Sequence, residues 1–170
     1  MNFNYKQNYQ IQLEEGQRFQ DHCAYWLQKT LNIGIVNFQT KEYQYKFGEN
    51  MQGIELKFDK VFQTTSNLWI ETAERHNLDT PYSDSGIFRK DNSWLYCIGN
   101  YEVIYIFQKS LLVFLYQTGR YPLIENKLMT SKGFLLPKSS ADKYAAAKIA
   151  TKTVVNETAE GKSDQISYEI

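Results

Sequence analysis

Between residues 12 and 58 the hydrophobic period of this chain changes from that of a helix to that of a strand, which narrows the folds open to it. Across 12–31, Leu13, Gly16, Phe19, Cys23, Trp26 or Leu27, and Leu31 recur at steps of three and four, predicting a helix with one apolar face. Glu15 falls at the flank of that face and Glu14 nearly opposite it. From Tyr43 the period is two. Tyr43, Tyr45 and Phe47 alternate with polar residues, and Ile54, Leu56 and Phe58 alternate with Glu55, Lys57 and Asp59. Two strands are expected there, closed into a hairpin by the turn-like stretch 48–53.

Three further strands are expected at 67–73, 93–98 and 102–107, the first two separated by a polar loop containing Pro81, Asp84, Ser85 and Gly86. The apolar run 110–117 fits either a strand or a helix. Residues 139–150 read as a helix with Ser139 as its cap and Asp142 three residues on, near the positive helix end. Helix, a run of strands, then helix favours an α+β or α/β/α arrangement on a mixed sheet.

A length of 170 residues suits one domain with a sizeable core, expected over 1–150, and 15% aromatic residues exclude disorder over most of the chain. The last stretch, 151–170, is polar and acidic and reads as a mobile tail. Nineteen basic residues balance nineteen acidic ones, which excludes a bulk-basic nucleic-acid binder and leaves room for a local patch. Such a patch lies between Lys127 and Lys152, with six lysines and one acid, Asp142. Two cysteines, Cys23 and Cys97, are too few for a disulfide scaffold or a zinc site built on CxxC pairs. No apolar run approaches the roughly 18 residues of a membrane span, and the N-terminus lacks a signal-type apolar core. A soluble, cytoplasmic protein is expected.

Several chemistries are missing. There is no GxSxG elbow, His22 and His76 form no ligand pair and read as surface histidines, and the phosphate-loop-like run 156–163 begins with Asn156 where glycine is required. The informative segment is GENMQGIELKFDK, residues 48–60. Glu55 and Lys57 are two apart on one strand, so both side chains emerge on one face roughly 6–7 Å apart. Asp59 continues the row, and Glu49 can fold back toward Glu55 from the turn. Two converging carboxylates hold Mg²⁺, which keeps several waters and binds substrate phosphate, and a lysine beside them can orient a water or stabilise developing charge. The same pattern also suits a solvated strand face.

The run GENMQGIELKFDKVFQTTSNLWIETAER resembles the PD-(D/E)XK nuclease superfamily in its small phage and bacterial forms. The matching residues are Glu55-Leu56-Lys57, then Thr65-Ser66-Asn67 and Ile70-Glu71, with Ser85-Gly86-Ile87 and Trp94-Leu95-Tyr96 farther on. The resemblance covers about residues 14–107. It implies a restriction-endonuclease-like α/β/α sandwich with a central mixed sheet, and a Mg²⁺- or Mn²⁺-dependent nuclease acting on DNA. Glu55 is then a metal ligand, Lys57 the water-positioning lysine, and Glu15 an assisting acid from the first helix. The family's leading acid is usually Asp; here Glu49 stands in as second ligand, with Glu42 in reserve. Ser66 replaces the glycine that relatives tend to carry, and Glu71 either faces the same site or decorates an exposed strand. Lys138, Lys143 and Lys148 are candidates for phosphate contacts. A symmetric dimer would suit paired cuts. The alternative is an inactive module of this fold that binds nucleic acid or a protein partner.

Overall fold

The computed structural model describes residues 3–151. In chain order the elements are α1 (Phe3–Leu31), α2 (Lys41–Phe47), β1 (Ile54–Phe58), α3 (Phe62–Thr65), β2 (Asn67–Glu74) and β3 (Ser83–Asp84). A 3-10 turn (Gly86–Phe88) leads to β4 (Leu95–Gly99), β5 (Val103–Gln108) and α4 (Lys109–Gln117). The described chain ends with β6 (Ile124–Glu125), β7 (Ser131–Pro137), α5 (Lys138–Tyr144) and β8 (Ala147–Ala150).

Two four-stranded sheets result. The first is mixed, in the order β1-β4-β5-β8, with β1 and β4 parallel and the other pairs antiparallel. The second, β3-β2-β7-β6, is antiparallel throughout. Strand alternation gives the mixed sheet two apolar faces. Ile54, Leu56, Cys97, Ile104 and Ile106 point toward α1, which buries Phe19, Cys23 and Leu27 against them. Tyr96, Ile98, Tyr105 and Phe107 point the other way, onto Leu68 and Ile70 of β2, Phe134 and Leu136 of β7, and Leu112 and Leu115 of α4. The mixed sheet is as expected. On its second face, however, an antiparallel sheet shares the layer with α4 and α5, because 67–74 and 131–137 pair along their whole length and turn alternate apolar side chains inward.

Three local expectations are corrected. Residues 41–47 are helical, not extended: the Thr40 hydroxyl accepts from the Tyr43 amide, Glu42 and Lys46 suit the two helix ends, and Gly48 terminates the turn at φ +90°. Tyr43 and Phe47, four apart, then share a helix face with ring centroids 5.7 Å apart. The expected 43–47/54–58 hairpin is consequently absent, and β1 takes β4 as its parallel partner. Residues 139–150 divide into α5, preceded by Pro137 with no side-chain cap from Ser139, and β8, which pairs with β5 and closes that edge of the sheet. Sheet pairing overrides the helix preference of an alanine-rich stretch. The run 110–117 resolves as α4. The acidic segment and its phosphate-loop-like run, 152–170, lie outside the described residues. Among the described residues no helix is long and apolar enough to cross a membrane.

Candidate active site

The site is built on β1, an edge strand whose start is fixed by a buried asparagine. Asn50 Oδ1 accepts from the Ile54 amide at 2.9 Å and its Nδ2 donates to the Ile54 carbonyl at 2.6 Å, while Asn92 donates to the Asn50 carbonyl. This clamp lays the 48–53 loop along the free side of β1. Glu49 thereby reaches the strand, and its Oε2 accepts from the Leu56 amide at 3.1 Å. One carboxylate thus satisfies an edge donor of β1 immediately beside the residue that carries the second.

Because Ile54, Leu56 and Phe58 are turned toward α1, Glu55 and Lys57 are turned into the space between the two sheets. Lys57 Nζ stands 3.1 Å from Glu55 Oε1, with Glu55 only 1% and Lys57 31% exposed. Apart from Lys57, neither buried Glu55 oxygen has a donor among the described residues. Burial pushes the Glu55 carboxyl above the usual carboxylate range; Lys57 pulls it back, and the charge of Glu49 pushes it up again. For the Lys57 amine, burial acts downward, but Glu55, with Glu71 and Glu49 behind it, outweighs burial and holds it as an ammonium.

Glu71 reaches the same space from β2. Its two oxygens accept from the Ser85 hydroxyl at 2.6 Å and the Ser131 hydroxyl at 2.8 Å. It is therefore a fixed acceptor and not decoration on an exposed strand. Beside these groups lies the phenol of Tyr96, fully buried; burial and the Glu55 charge both raise its pKa. A cation approaches from another side. Lys109, at the start of α4, donates to the Arg89 carbonyl at 2.8 Å and the Ser93 hydroxyl at 2.6 Å, lies 3.4 Å from Asp91 Oδ1, and draws the Glu55 pKa downward. Burial acts upward on Asp91, but hydrogen bonds from Ser93 and the charges of Lys109 and Arg89 hold it below its ordinary range.

The structure therefore brings Glu49, Glu55, Lys57 and Glu71 together and leaves Glu15 elsewhere. Glu15 sits on α1, behind the opposite sheet face, and pairs with Lys60. Glu42 is exposed in the first turn of α2 and does not figure among the charges acting on Glu55. Asp59 does not continue the charged row into solvent; it is buried and accepts from the amides of Val61, Phe62 and Trp69. Lys138 and Lys148 both pair with Asp142, at 2.8 and 2.9 Å, and Lys143 lies over the Tyr144 ring. His22 is half-buried among Phe19, Trp26 and Tyr101, so it is not a surface histidine.

Sequence reasoning missed Lys109 and Ser131, and named Ser85 and Tyr96 without placing them beside Glu71 and Glu55. Ser131 is sixty residues from Glu71 and meets it only through the β2–β7 pairing. Among the described residues no three His, Cys, Asp or Glu side chains converge to cage an ion. Glu49 and Glu55 are oxygen donors that could hold a hard divalent cation keeping much of its water. Comparison of the chain with protein-family models, curated proteins and solved structures finds no match.

Proposed function

We propose that this chain is a Mg²⁺- or Mn²⁺-dependent nuclease that hydrolyses phosphodiester bonds in DNA, on a restriction-endonuclease-like variant of the mixed-sheet architecture. The observation that carries this reading is the Glu55 carboxylate, buried with no donor among the described residues but the Lys57 ammonium 3.1 Å away, and flanked by Glu49. Groups held in such costly positions concentrate at functional sites.

Glu55 and Glu49 would hold the cation, which supplies a water of lowered pKa and neutralises charge on the phosphate. Lys57, kept protonated by Glu55 and Glu71, donates toward the attacking water or a non-bridging phosphoryl oxygen and steadies the charge that develops there. Glu71, locked by Ser85 and Ser131, adds its charge to the field that keeps that ammonium protonated. The water oxygen bonds to phosphorus as the bond to the leaving sugar oxygen breaks, and the water's proton passes through solvent to the leaving oxygen.

The test is incubation of the protein with supercoiled plasmid and with single-stranded DNA, in Mg²⁺, Mn²⁺ or EDTA, beside Lys57→Ala. Metal-dependent cutting that falls about a hundredfold or more in the variant is expected. Cutting that persists in Lys57→Ala would remove Lys57 from the chemistry. The 1% exposure of Glu55 favours a second reading, an inactive module of the same architecture that binds nucleic acid or a protein. Absence of cutting together with no metal-induced rise in melting temperature would select it.

A further inference from the structure

Glu49 lies in the loop between α2 and β1, so its reach to the Leu56 amide depends on what holds that loop. Two neighbours do so. The preceding chain pairs with it, through the Phe38 amide on the Glu49 carbonyl and the Met51 amide on the Val36 carbonyl. The second neighbour is the loop 89–94. From it, Asn92 Nδ2 donates to the Asn50 carbonyl at 2.9 Å, the Trp94 indole N–H to the Gln52 carbonyl at 2.8 Å, and the Trp94 amide to the Gly53 carbonyl at 2.9 Å.

The two loops lie very close. An added Cβ at Gly48, the residue before Glu49, would stand 2.1 Å from Asn92 Oδ1, and one at Gly53 would stand 2.5 Å from the Asn92 carbonyl oxygen. Both glycines also have positive φ, +90° and +68°. Glycine at the two ends of 48–53 is what lets that loop rest on Asn92.

The loop 89–94 is in turn pinned by Lys109, which is buried. Its ammonium donates to the Arg89 carbonyl at 2.8 Å and the Ser93 hydroxyl at 2.6 Å, and lies 3.4 Å from Asp91 Oδ1. Asp91 accepts from the Ser93 amide at 2.9 Å and pairs with Arg89, whose guanidinium donates to the Gln44 carbonyl in α2. With its three donors directed at three atoms of one loop, Lys109 fixes the shape of that loop and has none left for a ligand. A continuous chain of contacts thus runs from Lys109 through 89–94 to Asn50 and Glu49. A carboxylate held by such outer partners loses little freedom when it takes a cation, which is why removing them weakens metal binding.

We propose that the loop 89–94 positions Glu49 for the divalent cation, and that Asn92 is the positioning residue that carries this from the Lys109 knot to the acid. Asn92 itself touches neither metal nor phosphate. The inference rests on the metal-site reading of Glu49 and Glu55 and adds the element on which that site's second acid depends.

The test is the Mn²⁺ affinity of the whole chain without DNA, measured by titration calorimetry. Wild type should bind and Glu55→Gln should not. Asn92→Ala should weaken binding about tenfold or more. Since Asn92 is exposed, the substitution spares the core, and a thermal melt checks that the variant is folded. Glu49→Ala should weaken binding as well, and adding Asn92→Ala to it should weaken binding no further, because no acid remains to be positioned. A merely structural Asn92 would lower the melting temperature and leave the Mn²⁺ affinity of the folded protein unchanged. Trp94→Phe removes one bond between the loops and keeps the ring; it should shift the affinity the same way by a smaller factor, and it decides the matter if Asn92→Ala does not fold. Unchanged affinity in the folded variant, or losses that add in the double variant, would overturn the proposal. If either occurs while Glu55→Gln still abolishes Mn²⁺ binding, the metal-site reading stands and this inference alone falls. Wild type that binds no Mn²⁺ would remove both.

Discussion

Lys57 Nζ lies 3.1 Å from Glu55 Oε1, yet apart from that ammonium neither Glu55 oxygen has a donor among the described residues and the carboxylate is almost wholly removed from water. The attraction of one partly exposed ammonium offsets only part of the desolvation of a buried anion. Glu49 and Glu71 add further negative charge to the same space. The arrangement holds Lys57 firmly protonated and leaves Glu55 short of positive charge. A divalent cation would complete it.

That imbalance has a measurable consequence. Because the folded Glu55 carboxyl titrates above its ordinary value, the native chain keeps a proton that the unfolded chain releases between the two values. Stability therefore falls as pH rises through that window. Glu55→Gln should be more stable than wild type near pH 8, by about 1–2 kcal/mol, with the advantage disappearing at about pH 4. For a chain of this size each kcal/mol raises the melting temperature by about 2–4 °C. Mn²⁺ should raise the melting temperature of wild type and not of the variant. A variant that melts at or below wild type near pH 8 would show that Glu55 is comfortably solvated.

Glu71 offers a cleaner measurement, because its two oxygens have separate partners. Ser85→Ala and Ser131→Ala should each cost about 1.5–3 kcal/mol, the range for hydrogen bonds to a charged group. Sharing one acceptor, the two should also couple, so that the double variant departs from the sum by about 0.5 kcal/mol or more in urea unfolding. Strict additivity would mean that Glu71 reorients freely when either serine is lost.

The features that escaped the sequence share a physical origin. Residues 54–58 and 67–74 alternate apolar side chains with polar ones, burying Ile54 and Leu56 in one and Leu68 and Ile70 in the other, so their period was readable, and Glu55 and Lys57 with it. At 41–47 the aromatic alternation of Tyr43 and Phe47 competed with the quieter signals of Thr40 as cap and Gly48 as terminator, and the cap decided. Residues 147–150 are a strand only because β5 offers an edge to pair with, which no local pattern records. Likewise, Glu15 has a suitable helical position, but α1 packs on the sheet face away from Glu55. The faces were visible, and which face met which partner was not.

The lysines expected to touch phosphate are largely engaged. Asp142 accepts from Lys138, Lys148 and the Tyr105 hydroxyl. Burial acts upward on its pKa, but these three bonds outweigh it and hold the carboxyl at about 2. The stability this contributes is present above the ordinary value near 3.8 and is lost as pH falls toward 2. Since Asp142 is about a third exposed, the contribution is about 1 kcal/mol after allowance for solvent screening. Asp142→Asn should lose it at neutral pH and equal wild type at the acid end. The same substitution should tighten DNA binding at low salt by releasing two lysines, read as a steeper salt dependence. An unchanged slope would place the DNA contact elsewhere.

Ser66 is a residue other than glycine at positive φ. It ends α3 in the left-handed region, φ +54° and ψ +27°, with its amide donating to the Phe62 carbonyl at 2.8 Å. An L-residue pays about 1–2 kcal/mol in that conformation, while glycine gives back about 0.4–1 kcal/mol through the freedom of its unfolded chain. Ser66→Gly should therefore gain about 0.5–1 kcal/mol in urea unfolding, without altering the site strand. Gly86 provides the opposite case. It too has positive φ, +50°, and an added Cβ would stand 2.2 Å from the Glu71 carbonyl oxygen. Gly86→Ala should destabilise by more than about 1 kcal/mol and disturb the Glu71 clamp as well, because strain and collision act together. If Ser66→Gly destabilises while Gly86→Ala is tolerated, the backbone at these two turns is not what sets the residue preference there.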